Sequence, residues 1–436
     1  MKMYEILNKK RYGQVMTHED IEYVVKNFTS GVIPDYQMAA LLMAIVINGM
    51  NDDEIFALTK SMVQTGEIAD LSAIHGIKVD KHSSGGVGDK TSPIVGAIVA
   101  SCGVPVAKMS GRSLGFSGGT VDKLESIPGY TIDIKKERFF EIVNTVGVSI
   151  IGQTGNLAPA DKKIYQLRDV TATVESIPLI ASSIMSKKIA GAADAILLDV
   201  KVGNGAFMKD IASATELAEK MVAIGKNFGK HTIALVTQMN CPLGSNIGTA
   251  LEVIEMIDIL KGRKTGKLKE LCCVLAANML YLAQKGSIEV CEKMAEQALD
   301  SGAAFKKFRD MVAAHGGDTE FTDHTEKFPR AKYSREICAK ENGFVHAFQT
   351  EKCGMASMAL GAGRENKEEQ LDYTAGICLC KEYGEVVKKG DVLARLYTSR
   401  ENTLEHAEEL LREGICIGEK PKVLPLVYEK IMSEQL

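Results

Sequence analysis

From about residue 77 onward, short apolar runs recur, and each ends in a glycine-rich polar turn that leads into a helical stretch. IKVD runs into KHSSGGVGD, PVAKM into SGRSLGFSGGT, VSIIG into QTGN, AILLDV into KVGNGAF, and IALVT into QMNCPLGSNIG. Parallel strands need a long crossover between them, and a helix is the usual one, so the alternation predicts a mostly parallel α/β sheet. Ligands of such sheets sit beyond the carboxyl ends of the strands. The polar glycine loops fall in that place.

The flanking segments follow other patterns. Residues 1–66 read as helices, with Thr17 and Asp20 opening HEDIEYVVKNF and Asn51 and Glu54 opening DDEIFALTKSMVQ, both in capping-box spacing. DYQMAALLMAIVINGM is apolar almost all round, which predicts burial in a helical cluster or at a subunit interface. The glycine-free stretch 160–190 looks helical again, with Ser176 and Pro178 marking a second start. These pieces predict a small, mainly helical, discontinuous domain over 1–66 and 160–191, with Gly155 and Gly191 as hinges. A large α/β domain is expected over 70–156 and 194–330. A C-terminal α+β subdomain is expected over 331–436, where strands alternate with turns such as Glu-Asn-Gly and Lys-Lys-Gly-Asp.

Composition excludes several classes. A net charge of −4 with interspersed signs and no basic run argues against a nucleic-acid partner. The most apolar stretch, Met38 to Ile47, is too short to span a bilayer, and the N-terminus has no signal-peptide core, so no membrane partner is expected. Ten cysteines without a CxxC pair read as reduced thiols, not as a zinc site or a disulfide framework. A cytoplasmic location is the expectation.

The first loop carries Lys81, His82 and Ser83, then glycines, then Ser92 at a helix start. Convergent backbone N–H groups and a helix N-terminus suit an anion, although no Walker A spacing is present. Alone, the loop is either an anion cradle or a tight turn with incidental polar residues. A second loop runs from Ser110 to Thr120, and two such loops can face one tetrahedral anion. Ser183 and Lys187 share a helix face, with Arg168 a segment earlier. An arginine fork, a lysine and a hydroxyl suit a planar base with carbonyl and imide edges, but on spacing alone a solvated helix face explains them too. His82 is either a proton donor near neutral pH or a structural hydrogen-bonder.

KHSSGGVGD, SGRSLGFSGGTVDKLES, LRDVTATVESIPLIASSIMSKK and DVKVGNGAFM, in that order, resemble the pyrimidine-nucleoside and thymidine phosphorylases, and the likeness extends to GAGRENKEE and VKKGDVLARLY. The resemblance implies a homodimer formed through the helical domain. Phosphate would bind the α/β domain, the pyrimidine the helical domain, and the cleft between them would close. It implies Lys81, Ser83, Ser92, Ser110 and Thr120 as phosphate binders, and Arg168, Ser183 and Lys187 as pyrimidine binders. His82, Arg168 and Lys187 would be the catalytic groups. The implied reaction is reversible phosphorolysis of uridine, deoxyuridine and thymidine, with inorganic phosphate as co-substrate and no organic cofactor. Lys108 occupies the position that sets specificity in the family, and a lysine there implies that uridine is accepted. A strict thymidine phosphorylase is the alternative. A phosphoribosyltransferase of related fold is another, and would need paired acids for magnesium pyrophosphate, of which Asp122 and Glu125 are the nearest. Some members bind a potassium ion through residues matching Gly88, Leu243, Asn246 and Glu255 and a hydroxyl at position 90. Here that position is Lys90, whose ammonium is expected to replace the ion and pair with Glu255. Ser113, Phe116 and Ser117 also depart from the family's second loop.

Overall fold

The computed structural model describes residues 2–112, 115, 118–153, 156–364, 366 and 369–433. Ser113, Phe116, Ser117 and the expected hinge Gly155 lie outside the described residues. Four helices open the chain: α1 (Met3–Arg11), α2 (His18–Thr29), α3 (Asp35–Asn48) and α4 (Asp52–Gln64). Both starts marked in the sequence are capping boxes. Thr17 Oγ1 accepts from the Asp20 amide at 3.1 Å and Asn51 Oδ1 accepts from the Glu54 amide at 2.9 Å, with each carboxylate accepting in return from the cap residue's own amide. Helix α3 is not buried all round: Met38, Leu41, Leu42 and Ile45 are covered, while Tyr36 and Ile47 are each 74% exposed.

Strand β1 (Val79–Ser83), α5 (Thr91–Ser101), β2 (Val106–Ser110), α6 (Thr120–Leu124), α7 (Lys136–Val146) and β3 (Val148–Gly152) begin the strand–helix series. The predicted insertion supplies α8 (Pro159–Arg168) and α9 (Ile177–Ala190). The series resumes with β4 (Ala195–Val202), α10 (Ile211–Asn227), β5 (His231–Gln238), β6 (Asn246–Gly248) and α11 (Thr249–Leu260). Strands β1, β4 and β5 run parallel in that order, and β2 and β3 form a separate parallel pair. Strand β4 is buried on both faces, as the central strand of a covered parallel sheet must be. Helix α9 packs on α4 on one side and on α10 on the other, so its apolar residues join the core of the sheet.

Helices α12 (Lys267–Leu282), α13 (Ile288–Asp300), α14 (Ala303–Ala314) and the short α15 (Glu320–Asp323) follow; α12, α13 and α14 pack on α5. The last third holds β7 (Tyr333–Cys338), β8 (Gly343–Phe348), α16 (Thr350–Ser357), β9 (Gly376–Leu379), β10 (Val386–Val387), β11 (Val392–Thr398), α17 (Leu404–Gly414), β12 (Ile415–Gly418) and β13 (Val427–Met432). These strands do not stay within 331–436. Strand β13 adds antiparallel to β5, and β6 joins the sheet β6-β9-β11-β7.

Candidate functional site

Strand alternation sends Lys81 and Ser83 to the face of β1 nearest the start of α5. Lys81 is buried; its Nζ lies 3.0 Å from Asp199 Oδ2 and donates to Thr91 Oγ1 at 2.6 Å. Asp199 also meets Lys201 at 2.8 Å and accepts from Thr237 Oγ1 at 2.6 Å. Ser83 donates to the Asp89 carboxylate and accepts from the Gly85 amide at 3.2 Å. Burial alone raises Asp89, but Lys81, Lys201 and the hydroxyls of Ser83 and Thr91 hold it well below the usual carboxylate range. Lys123 of α6 donates to the Asp89 carbonyl at 2.6 Å and pairs with Glu252 at 2.8 Å, which draws the helix that begins at Thr120 onto the first loop. Ser92 lies in the first turn of α5 and Ser110 ends β2. Strands β1 and β2 are not hydrogen-bonded as a ladder; the Lys108 ammonium links them by donating to the Lys81 carbonyl at 2.6 Å.

On the insertion, Lys187 Nζ donates to Ser183 Oγ at 3.1 Å and to Asp161 Oδ2 at 2.7 Å. The expected helix-face pair is therefore real, and it is not a solvated one. Arg168 behaves differently. It is 1% exposed and donates to three backbone carbonyls, of Thr173, Val174 and Leu179, at 3.1, 2.7 and 3.1 Å. Three of its five N–H donors are thus taken, two by the turn between α8 and α9 and one by the first turn of α9. The Tyr165 ring lies 5.6 Å from the Arg168 guanidinium and 5.9 Å from Lys187 Nζ. Asp161, Tyr165 and Arg168 follow i, i+4, i+7 spacing on α8, a helical-face signal that reading the motifs one at a time passes over.

His82 joins the two sides. Burial, then Lys188, Lys108, Lys187 and Lys81, push its pKa well below the ordinary 6.5, because a fifth positive charge near four lysines is unfavourable. The imidazole is neutral at pH 7. It can offer one N–H as a hydrogen bond. Lys108 is buried rather than solvated, and burial, with Lys188 and Lys81 nearby, brings it down to about 8 despite Asp80 and Asp89.

Lys90 Nζ donates to the Leu243 carbonyl at 2.6 Å, the Asn246 carbonyl at 2.8 Å and Glu255 Oε2 at 2.7 Å. An ammonium nitrogen sits among the oxygens that the resemblance assigns to a potassium ion. Gly88 (φ 74°) closes the spot: a Cβ there would lie 2.8 Å from the Leu243 carbonyl oxygen and 3.4 Å from Lys90 Nζ. Burial raises Glu255, yet Lys90 and Lys264 bring it down to about 2. The residues present fit the lysine and not a separate ion. Asp122 and Glu125, the nearest acids to the second loop, are engaged by Arg112, and Asp122 also by Arg364.

Comparison with known proteins gives three matches to family models. Residues 4–66 match the helical bundle domain of a glycosyl transferase family, 75–305 its a/b domain, and 344–418 a pyrimidine nucleoside phosphorylase C-terminal domain. A pyrimidine-nucleoside phosphorylase of Geobacillus stearothermophilus is 51% identical over 433 residues, covering 99% of this chain and 100% of the relative. One of Bacillus subtilis (strain 168) is 49% identical over 432 residues, with 99% and 100% coverage. Among solved structures, anthranilate phosphoribosyltransferase from Thermus thermophilus aligns with a TM-score of 0.58 over 71% of this chain and 98% of that one. At 19% identity, that likeness establishes the fold alone.

Proposed function

Because the chain belongs to the pyrimidine-nucleoside phosphorylase family, we propose that it cleaves uridine, deoxyuridine and thymidine with phosphate, through the residues gathered around His82. The observation that carries this is that β1, whose Lys81 reaches the start of α5, is tied by its own Asp80 to Lys188 of the insertion at 2.7 Å, one position from Lys187. A phosphate oxygen attacks C1′ of the sugar as the bond from C1′ to the pyrimidine nitrogen breaks, and the bonding pair leaves with the base. Lys81, Ser83, Ser92, Ser110 and Thr120 hold the phosphate. Lys187 and Ser183 meet the charge that develops on the base, with Arg168 shaping the turn beside them. The neutral His82 donates an N–H to a ring carbonyl. Closure of the cleft excludes water, so that phosphate and not water receives the sugar.

Lys108 supports uridine among the substrates over a strict thymidine enzyme, because its ammonium is buried at the site, where it donates to the Lys81 carbonyl at 2.6 Å. The Lys90 contacts support an enzyme in which the lysine does the work of the family's potassium ion; activity of a desalted preparation should then not change on adding potassium. A cytoplasmic homodimer fits the ten free cysteines and the apolar residues exposed on the first helices. No described helix is long and apolar enough to cross a membrane.

The test is release of free base from uridine, thymidine, deoxyuridine and cytidine with phosphate and without magnesium. The first three should react. If uridine stays intact while thymidine is cleaved, the specificity reading is wrong. If no nucleoside is cleaved, the assignment of activity fails.

A further inference from the structure

The face of β1 opposite Lys81 carries Asp80 and His82. Asp80 is 7% exposed. One of its oxygens lies 2.7 Å from Lys188 Nζ, and the other lies 3.7 Å from Lys108 Nζ with no hydrogen-bond partner of its own. Lys188 is in the last turn of α9, next to Lys187 and three residues before the expected hinge at Gly191. Asp80 directly precedes Lys81. A buried ion pair therefore joins the helix that carries the base-side residues to the strand that carries the phosphate-side residues, one position from each key lysine.

The surrounding charges make the pair more specific. The charges of four lysines, Lys188, Lys108, Lys187 and Lys81, act on His82. Lys187 has Asp161 and Lys81 has Asp199 as counter-ions. Among the described residues, Asp80 is the ion-pair partner of the other two, Lys188 from α9 at 2.7 Å and Lys108 from β2 at 3.7 Å. A buried pair of this kind is weak evidence for stability, since two well-packed neutral groups often do as well, but it fixes geometry. Reacting groups gain rate only when held in a near-attack arrangement. We propose that Asp80 and Lys188 are positioning residues. Their ion pair sets where α9, and with it Ser183 and Lys187, stands relative to Lys81 and His82 on β1. The inference rests on the reading that these residues form two halves of one phosphorolysis site.

The test uses the full-length enzyme and three variants: Lys188→Met, Lys188→Arg and Asp80→Asn. Asp80→Asn leaves both Lys188 and Lys108 without their carboxylate, so it can lose fold as well as activity. Lys188→Met leaves Asp80 beside Lys108 and should keep the wild-type melting temperature to within a few degrees. If the pair positions the two half-sites, Lys188→Met still loses on the order of 100-fold in kcat/KM for uridine, the cost of misplacing reacting groups by about 1 Å. Its KM for phosphate should stay within about 3-fold, since the phosphate cradle lies wholly on the α/β side, and Lys188→Arg, which keeps a cation opposite Asp80, should retain most of the wild-type rate. A Lys188→Met variant with wild-type kcat/KM overturns the proposal and leaves the pair as packing only. Loss of phosphate KM and nucleoside KM together also overturns it. Absence of phosphorolysis in the wild type would instead bring down the functional reading itself.

Discussion

Lys187 can be followed as a single side chain from spacing to chemistry. Its i, i+4 relation to Ser183 is visible in the sequence, and the structure adds Asp161, which holds the ammonium at 2.7 Å. Replacing it, Lys187→Ala, should lower kcat by about 100-fold or more, as losing a group that meets developing charge does, with far-UV circular dichroism unchanged. Lys108 bears on choice of sugar. Lys108→Leu should lower kcat/KM for uridine relative to thymidine by about 10-fold or more, because a buried polar contact that one substrate uses is then missing. Competition between the two nucleosides measures the ratio, and an unchanged ratio would remove Lys108 from the specificity position. Arg168 is legible as a site candidate but not in its bonding. Its acceptors are main-chain carbonyls of a turn and of the first residues of α9, and no residue type in the sequence announces where a carbonyl will point. The neutrality of His82 is hidden for a similar reason: its four lysine neighbours come from three separate elements.

Among elements, those with local rules are the readable ones. Two capping boxes, the strand–loop–helix series and the helical insertion each depend on residues a few positions apart, and each is present. The run AILLDV reads as a strand, but its pattern alone does not give Asp199 and Lys201 a role. Two charges two residues apart in an otherwise apolar strand were the available signal for a buried polar network. The Lys90–Glu255 link between the first loop and α11 yields a prediction with a definite sign. Glu255 has a folded pKa of about 2 against an ordinary 4.5. Its ionised form therefore stabilises the fold above pH 4.5, and that contribution fades as pH falls toward 2. A difference of that size corresponds to about 3 kcal/mol. Urea unfolding of Glu255→Gln should show a deficit of that order at pH 7 that narrows at about pH 3.5. A gap that does not change with pH would mean that the carboxylate charge is not what matters.

At the scale of the whole molecule, Tyr4, Tyr36 and Ile47 of the first helices and Val32 of the connection between α2 and α3 are between 66% and 74% exposed. Large apolar side chains left in water on this helical region would be covered by a self-complementary interface. If the chain pairs through these helices, the wild type should run as a dimer in size-exclusion chromatography with light scattering and a Tyr36→Asp, Ile47→Asp double variant as a monomer. A wild type that is already monomeric would dismiss the interface. The domain plan is legible because composition changes along the chain. The exchange of strands between its parts is not, since pairing distant segments leaves no local mark. That exchange has a consequence for how the protein is made. Strand β5 ends at Gln238, but its outer neighbour β13 begins only at Val427. On the ribosome, the sheet that carries Lys81 and Asp199 must wait with an open edge until almost the entire polypeptide has emerged. A hydrophobic edge left unpaired for that long is a site for misassociation, so chaperone demand during synthesis should exceed what the finished fold's stability suggests.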